Sequence, residues 1–480
     1  MIGRAKEIQI LQESFESDRA EMIAVYGRRR IGKTYLIQEF YRSKPNTFFL
    51  CLTGQSGDDM KAQIRNTARV MKEKCDISIK STAKWDEVFD ELKKYHQAHH
   101  GEFEHFTLFI DETPWIATAK SGFIGALGHI WNIYFSAFTN VTFVLCGSAA
   151  SWMLKNIASD KGELHGRITR RIALKPFTLQ DCKLYLESRG FALQNKHIID
   201  YYMALGGVAE YLKHLNPNKS YSQNIDALCF KSDGILYDEF SKLFVALFGR
   251  TPYHKSIVEY LGGKKTIRCS ADDIAKSLKM ASMATVYGVL DDLEAAGFIK
   301  AQRFYNQDKR DTLYSLCDPY CYFYLKWIKG LGRSVLEQND SYWAGVESTQ
   351  AFDIWSGNAF EMVAHNHVLQ IKNALGISGV QTDTCYWRSK ADELSKGAQI
   401  DLLIKRADRT VTIVECKYRG STYEIDSSYE QNLNNKKTAF GASDKEKNAI
   451  TLAMLTTYGA KRKNGVNIAF SDITIDALFV

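Results

Sequence analysis

Two glycines, a lysine and a threonine stand near the N-terminus at the spacing G-x-x-x-x-G-K-T. The segment follows an apolar run, IAVY, and precedes an amphipathic one, TYLIQEFY. Glycines permit a tight turn whose N–H groups surround phosphate oxygens, while the lysine neutralises the β and γ oxygens and the threonine hydroxyl reaches magnesium. The alternative, a plain glycine turn between strand and helix, is disfavoured by this context. We predict a loop that binds ATP and Mg²⁺, formed by Gly27, Arg28, Arg29, Arg30, Ile31, Gly32, Lys33 and Thr34.

A second candidate group ends the apolar run TLFIDE, where two carboxylates follow one another. Alone, such a strand end is usually just solvated. Beside a phosphate-binding loop, Asp111 is expected to hold the metal through its water shell and Glu112 to polarise the attacking water.

Polar residues at two positions farther along the chain could sense or stabilise the γ-phosphate. Ser148 follows the run VTFVLCG, where it could contact the phosphate or cap the next helix. Arg167, with Arg170 and Arg171 as alternatives, is the candidate for an arginine that stabilises transition-state charge. Surface salt bridges are the other interpretation of these arginines, and the sequence leaves open whether such an arginine acts within one subunit or across two.

A predicted hairpin near the C-terminus brings two further carboxylates together. Asp401 and Glu415 are equidistant from residue 408 in the polar turn, so pairing in that register places their Cβ atoms about 5 Å apart. Two such carboxylates repel each other unless a cation lies between them. We therefore predict a Mg²⁺ site formed by Asp401, Glu415 and the Cys416 carbonyl, with Lys417 positioning water or a scissile phosphate. Gln431 and Lys436 on the following helix are candidate substrate contacts.

The elements that must position these residues follow from hydrophobic periodicity. The first third alternates apolar runs with amphipathic stretches, which is typical of a parallel sheet covered by helices. Residues 178–215 follow a helical period, with Thr178 as N-cap and Gly206-Gly207 as the stop. The predicted strands are Met22–Tyr26, Thr47–Leu52, Phe106–Ile110, Val141–Cys146 and Arg171–Leu174; the predicted helices are Thr34–Tyr41, Asp58–Lys74 and Phe123–Phe138.

Residues 240–316 have the order helix, helix, helix and hairpin, which predicts a winged helix. Its third helix, SMATVYGVLDDLEAAG, carries acidic residues and no Lys or Arg, which disfavours groove binding because phosphate contacts dominate DNA affinity. A structural or regulatory module is therefore favoured over a sequence reader, although the wing is basic. The basic wing residues are Lys300, Arg303, Lys309 and Arg310.

Composition narrows the class of protein. A chain of 480 residues with 45% hydrophobic content is expected to fold into several domains, and its net charge of +7 is compatible with a nucleic-acid partner. No window is apolar enough to span a membrane, the N-terminus lacks the pattern of a signal peptide, and the 10 cysteines are scattered. We expect a cytoplasmic protein with reduced thiols and no membrane partner.

Two family resemblances follow from these motifs. The opening Ile2-Gly3-Arg4, the loop GRRRIGKT, the strand FIDE, and the segments LHGR and GGVAEYL resemble the archaeal-type ATPase family, of the STAND branch related to AAA+ enzymes. That resemblance covers most of residues 1–330, with Ala209 where the family usually has proline. The pattern D-x13-E-x-K resembles the PD-(D/E)XK nuclease superfamily over roughly residues 351–440, with Ile400 in place of the usual proline. The resemblance implies that Glu361, in the preceding helix, completes the acidic cluster.

Together these features predict an α/β multidomain protein. We expect a P-loop ATPase core with a parallel sheet (1–177), a helical lid (178–235), a winged helix with a linker helix (236–330) and a restriction-endonuclease-like domain (345–480). The resemblance implies an ATP-hydrolysing switch, with ATP and Mg²⁺ as cofactors, coupled to a Mg²⁺-dependent nuclease-like domain that binds DNA, and a homo-oligomer is a further expectation. The alternative is a regulatory or scaffolding ATPase whose winged helix and inactive nuclease-like domain bind DNA or a protein.

Overall fold

The computed structural model describes residues 1–80, 83–118, 120–158, 164–249, 251–263, 268–306, 312–332, 334, 341–389 and 397–480. The chain divides into two compact units. The first comprises Met1–Pro176 with Leu243–Arg250, and the second comprises Phe177–Lys242 with Thr251–Val480.

The first unit is built on a parallel five-stranded sheet in the order β2-β3-β4-β1-β5. Its central strands are buried along nearly their whole length because helices cover both faces, which explains their continuous apolar runs. The strands are β1 (Glu21–Tyr26), β2 (Thr47–Thr53), β3 (His105–Asp111), β4 (Val141–Gly147) and β5 (Arg170–Ala173). All five predicted strands are confirmed, each within one residue at either end.

The helices of the first unit pack on this sheet around two separate apolar clusters. They are α1 (Ala5–Phe15), α2 (Lys33–Arg42), α3 (Met60–Cys75), α4 (Trp85–His99), α5 (Thr113–Ile116), α6 (Phe123–Ile133) and α7 (Ala150–Asn156). The predicted helix Phe123–Phe138 is too long. The chain leaves the α conformation at Tyr134, where φ is −142°, and continues as a short 3-10 turn over Phe135–Ala137.

The second unit begins with helices, as the sequence predicts. Thr178 caps the first of them by accepting a hydrogen bond from the Asp181 N–H. The next helix ends at Leu205 and is followed by its C-cap, Gly206, whose φ is 64°. The helices of this unit are α8 (Leu179–Glu187), α9 (Asn195–Leu205), α10 (Ala209–Lys213) and α11 (Tyr221–Ile225). The next helix, α12 (Glu239–Phe248), begins in the second unit, and its residues from Leu243 onward belong to the first.

A three-stranded antiparallel sheet with two helices follows α13 (Pro252–Gly263), in the strand order β6-β8-β7. Its first strand, which has only three residues, is not predicted by the sequence pattern. The elements are β6 (Arg268–Ser270), α14 (Ala271–Ser277), α15 (Met283–Ala295), β7 (Ile299–Arg303) and β8 (Thr312–Leu316). The turn joining β7 to β8, with Lys309 and Arg310, lies outside the described residues.

The C-terminal part contains a mixed five-stranded sheet in the order β17-β15-β13-β12-β9. Helices precede it and one long helix follows its central strand: α16 (Pro319–Phe323), α17 (Tyr342–Glu347), α18 (Gln350–Asn366), α19 (Val368–Ala374) and α20 (Ser427–Ser443). The sheet strands are β9 (Thr382–Cys385), β12 (Leu402–Arg406), β13 (Thr410–Lys417), β15 (Ala449–Thr456) and β17 (Ser471–Thr474), and the shorter strands are β10 (Arg388–Ser389), β11 (Ala398–Gln399), β14 (Tyr423–Ile425) and β16 (Ala460–Arg462).

An aromatic cluster anchors α17 and α18 within this unit. Trp343 is fully buried, and its ring centroid lies 5.0 Å from that of Phe323 and 5.9 Å from that of Trp355. Aromatic side chains of this size supply a large share of core stability because each buries a large apolar area.

We expect Trp343→Ala to lower the free energy of unfolding of this unit by about 3 to 5 kcal/mol, because truncation removes the ring and leaves a cavity. The measurement is urea denaturation followed by circular dichroism. Ile354→Ala is the matched control, since that side chain is 60% exposed and should change stability by less than about 0.5 kcal/mol. Equal effects of the two substitutions would contradict this packing.

Candidate functional site

The predicted phosphate-binding loop joins the end of β1 to the start of α2, at the carboxyl edge of the sheet. Gly27 and Gly32 have φ values of 146° and 94°, which L side chains rarely adopt. A Cβ on Gly27 would lie only 2.2 Å from the carbonyl oxygen of Leu174. The loop therefore requires glycine at position 27 for close approach as well as for its turn.

Arg4 braces this loop from the N-terminal segment. Its Nη2 donates to the Ile31 carbonyl and its Nη1 to the Lys175 carbonyl, both at 2.9 Å. This role of Arg4 was not predicted, and its one sign in the sequence is the place of Arg4 in the opening Ile2-Gly3-Arg4. This contact links the loop to the segment that follows β5.

Lys33 lies at the centre of the loop, with only 5% of its surface exposed. Its Nζ donates to the carbonyls of Gly27 and Arg28 at 3.0 and 2.9 Å and to Ser148 Oγ at 3.0 Å. Burial lowers the pKa of Lys33, an effect that Cys146 and the nearby carboxylates oppose. The loop thus closes around the ammonium group that the sequence assigns to phosphate binding.

The end of β3 brings the two predicted carboxylates to the same edge. Thr34 Oγ1 donates to Asp111 Oδ2 at 2.7 Å, which joins the hydroxyl and the carboxylate expected to share a magnesium ion. Glu112 has a φ of 47° and accepts two hydrogen bonds from Ser148, at Oε1 from the hydroxyl (2.7 Å) and at Oε2 from the N–H (3.2 Å).

Ser148 therefore bridges Lys33 and Glu112 through one hydroxyl. The alternative role, as the cap of the next helix, is wrong: the N-cap of α7 is Ala149, and no side chain caps it. The sequence places Ser148 after an apolar strand but does not reveal this bridge, which depends on β4 lying between β3 and β1.

The candidate arginines are not gathered at this edge. In the register of β1 with β5, Arg170 lies level with Ile23 and Arg171 with Ala24. The Thr169 N–H donates to the Met22 carbonyl near the start of β1, and Arg167 comes two residues earlier, before β5 begins. Its guanidinium donates to Asn132 Oδ1 at 2.7 Å, near the end of α6. Arg167 is thus remote from the phosphate loop of its own chain.

The second candidate site lies where β12 and β13 pair. Leu402 is opposite Val414, which confirms the predicted register and brings Asp401 to the level of Glu415. Asp401 Oδ2 accepts the N–H of Cys416 at 2.9 Å. Burial, followed by repulsion from Glu415 and Glu361, raises the pKa of Asp401 to about 7.

Glu415 is fully buried and meets a cation from α20. Lys436 Nζ donates to Glu415 Oε2 at 2.6 Å, and the Tyr429 hydroxyl donates to the same oxygen at 3.3 Å. The other oxygen, Oε1, is buried and has no hydrogen-bond partner among the described residues. Lys417 Nζ lies 4.9 Å from the centroid of the Tyr429 ring. Gln431, the other predicted contact on this helix, is exposed.

Glu361 meets a cation that the sequence did not suggest. Arg268 Nη2 donates to Glu361 Oε1 at 3.0 Å, and His365, one helical turn after Glu361, lies 3.8 Å from the same oxygen. The partner was missed because Arg268 lies on the short strand β6, which the sequence pattern did not predict.

Metal and membrane features are limited in the described part of the chain. It contains no group of three or more His, Cys, Asp and Glu side chains arranged to hold a metal, so a cation at Asp401 and Glu415 would also need oxygens from the backbone or water. None of its helices combines the length and apolarity needed to cross a membrane.

Comparison with known proteins finds two similar proteins in one archaeon. The chain is 23% identical over 458 residues to the uncharacterized protein MJECL04 of Methanocaldococcus jannaschii, covering 93% of this chain and 94% of that protein. It is 40% identical over 43 residues to an uncharacterized ATP-binding protein of the same organism, MJ0423, covering 9% of this chain and 73% of that protein.

Among solved structures, a Walker-type ATPase of Pyrococcus abyssi superposes with a TM-score of 0.50 at 18% identity, covering 68% of this chain and 96% of that one. This likeness shows a shared fold. Residues 1–215 match the family model described as an ATPase domain predominantly from Archaea. The N-terminal part of the chain is therefore an archaeal-type P-loop ATPase domain.

Proposed function

We propose that this domain binds ATP with Mg²⁺ and hydrolyses it. The observation that carries the proposal is the continuous contact from Lys33 through Ser148 to Glu112, beside the bond between Thr34 and Asp111. Thr34 and Asp111 would hold the metal, which when bound offsets charge on the β- and γ-phosphates.

The remaining steps belong to the chain's own residues. Lys33 neutralises the γ-phosphate, and its move toward phosphate weakens its bond to Ser148. Glu112 then accepts a proton from water as that water attacks the γ-phosphorus, and the bond between this phosphorus and the ADP oxygen breaks. Ser148 thus links phosphate binding to the position of the base.

The remote position of Arg167 supports a homo-oligomeric enzyme. An arginine that precedes β5, near the start of β1 and the end of α6, is placed to stabilise γ-phosphate charge on a neighbouring subunit rather than at its own loop. We include this trans contact in the proposal; on its own chain Arg167 is half-buried and donates to Asn132 Oδ1.

We expect Lys33→Ala to abolish ATP binding and Glu112→Gln to retain binding while slowing hydrolysis by about 100-fold or more, because only the second variant keeps the phosphate contacts. Binding is measured by calorimetry and hydrolysis by phosphate release. Lys61→Ala, an exposed lysine on α3, is the control and should behave as the unaltered chain. Normal hydrolysis by Glu112→Gln would exclude this residue as the base.

Ser148→Ala tests the bridge itself. We expect turnover to fall by about tenfold or more with a small change in ATP affinity, because the hydroxyl orients Glu112 and makes only one of the three hydrogen bonds of Lys33. Steady-state kinetics at saturating ATP provide the measurement, with the exposed Ser136→Ala as control. An unchanged turnover would show that Glu112 needs no such positioning.

For the C-terminal domain we propose a PD-(D/E)XK-like, Mg²⁺-dependent DNA nuclease whose activity the ATPase domain controls. The buried carboxylates of Asp401 and Glu415 fit a divalent cation, since one Glu415 oxygen has no hydrogen-bond partner in the described structure. These residues and the Cys416 carbonyl would hold Mg²⁺, which when bound stabilises charge on the phosphate. Lys417 positions the water that attacks phosphorus while a phosphodiester P–O bond breaks.

We further propose that α14, α15 and the β6-β8-β7 sheet form a winged helix used as a structural or regulatory module. Two contacts of the wing strand support this. Lys300 Nζ donates to the His365 carbonyl at 3.3 Å, and Tyr305, two residues after β7, is buried in the apolar cluster of the C-terminal sheet. Side chains engaged in this way are not available for DNA phosphates.

A second candidate function is a scaffolding ATPase with a silent nuclease-like domain. The observation that favours it is the pairing of two of the acidic residues with cations of the protein, Glu415 with Lys436 and Glu361 with Arg268. In this case the domain would bind DNA or a protein without cleaving it.

We expect Asp401→Asn and Glu415→Gln each to reduce Mg²⁺-dependent DNA cleavage by about 100-fold or more, since each removes a metal ligand. Linear, circular and single-stranded DNA are the substrates, with and without ATP. Asp408→Asn, in the turn of the same hairpin, is the matched control and should cleave normally. Hydrolysis of ATP without cleavage of any substrate would favour the scaffolding function.

A further inference from the structure

Three carboxylates interact electrostatically at the proposed nuclease site, and two of them are held by cations of the protein itself. Asp401 lies close enough to Glu415 and Glu361 for both to raise its pKa. Lys436 pairs with Glu415, and Arg268 pairs with Glu361. The two cations differ in origin, because Lys436 belongs to the helix that follows β13, whereas Arg268 comes from the separate β6-β8-β7 sheet.

Arg268 is buried and contacts residues of its own sheet and of neighbouring segments. Its side chain is 5% exposed, its guanidinium lies 4.4 Å from the centroid of the Tyr386 ring, and its Nε donates to Gln302 Oε1 at 3.4 Å. The sheet also forms a backbone hydrogen bond close to Arg268, because the Tyr386 N–H donates to the Arg303 carbonyl at 2.9 Å. Displacing the sheet would therefore withdraw Arg268 from Glu361.

His365 couples this ion pair to the metal-binding strand. Its Nε2 lies 2.8 Å from Arg268 Nη2 and 2.9 Å from the Asp401 carbonyl oxygen. The nitrogen of a neutral imidazole either accepts or donates a hydrogen bond. Nε2 can therefore satisfy Arg268 or the Asp401 carbonyl, and loss of Arg268 favours the tautomer that holds Asp401.

We propose that Arg268 is a built-in counter-ion that keeps Glu361 out of the metal site, and that its withdrawal with the β6-β8-β7 sheet makes Glu361 a third carboxylate ligand. The proposal rests on the nuclease function proposed above and adds its regulation. With Arg268 paired, only Asp401, Glu415 and the Cys416 carbonyl remain for Mg²⁺. With Arg268 withdrawn, the buried charge of Glu361 needs another cation, and we assign that role to the metal.

Metal binding, rather than DNA cleavage, tests the counter-ion role of Arg268. Mn²⁺ is titrated calorimetrically into the full-length, nucleotide-free chain and its variants. We expect Arg268→Gln to tighten Mn²⁺ binding by about tenfold or more, within the usual range of coupling between sites. The gain should vanish in Arg268→Gln combined with Glu361→Gln. Arg303→Gln is the matched control, an exposed arginine on the same sheet, and should bind as the unaltered chain does.

A second variant, which keeps Arg268, tests the proposal even if Arg268→Gln does not fold. Glu361→Gln alone should leave Mn²⁺ affinity nearly unchanged, because Glu361 is not yet a ligand, and its melting temperature reports folding. A large loss of affinity in Glu361→Gln, or unchanged affinity in a folded Arg268→Gln, overturns the counter-ion role.

Asp401→Asn, made in the Arg268→Gln background, separates the two proposals. If it abolishes Mn²⁺ binding while Arg268→Gln gives no gain, the metal site stands and only the counter-ion role fails. If Mn²⁺ binding survives Asp401→Asn, the metal site itself is wrong and the proposed nuclease function fails with it.

Discussion

A charge removed from water must be met by an opposite charge or by several hydrogen bonds, and both candidate sites are organised by this requirement. In the ATPase domain the constraint falls on Lys33, whose three hydrogen bonds draw the loop and Ser148 around one ammonium group. In the second unit it falls on Glu415, which is fully buried and ion-paired with Lys436. The same groups that satisfy these charges are the ones that a phosphate or a metal ion would displace.

Much of the first site follows from the sequence because its parts are contiguous or end adjacent strands. The loop from Gly27 to Thr34 is a single segment, and the carboxyl ends of parallel strands meet at one edge, so Asp111 and Glu112 could be placed beside it. The register of β12 with β13 was also predictable, since the turn fixes it by symmetry. Local order along the chain is the information that a single sequence provides.

The contacts that were missed join residues distant in sequence. Arg4 meets Ile31 across 27 positions, and Arg268 meets Glu361 across 93. No spacing rule links such pairs, and β6 is too short and too polar at Arg268 to be recognised as a strand. Sequence reasoning therefore named Glu361 as part of an acidic cluster without finding the cation that neutralises it.

The helices after Thr178 are also tied to the strand that carries the proposed nuclease residues. The Tyr418 hydroxyl, one residue beyond Lys417, donates to Asp200 on α9, and Lys196 pairs with the same carboxylate at 2.9 Å. The Tyr418 ring packs against Phe360, which precedes Glu361 on α18, with centroids 5.2 Å apart. A shift of α9 would thus act on Lys417 and Glu361 together, whereas a shift of β6 would act on Glu361 through Arg268. Shifts of α9 and of β6 would thus both reach one cluster of buried charges. Small displacements there change the interaction energies between the charges most, because the buried surroundings screen charge weakly.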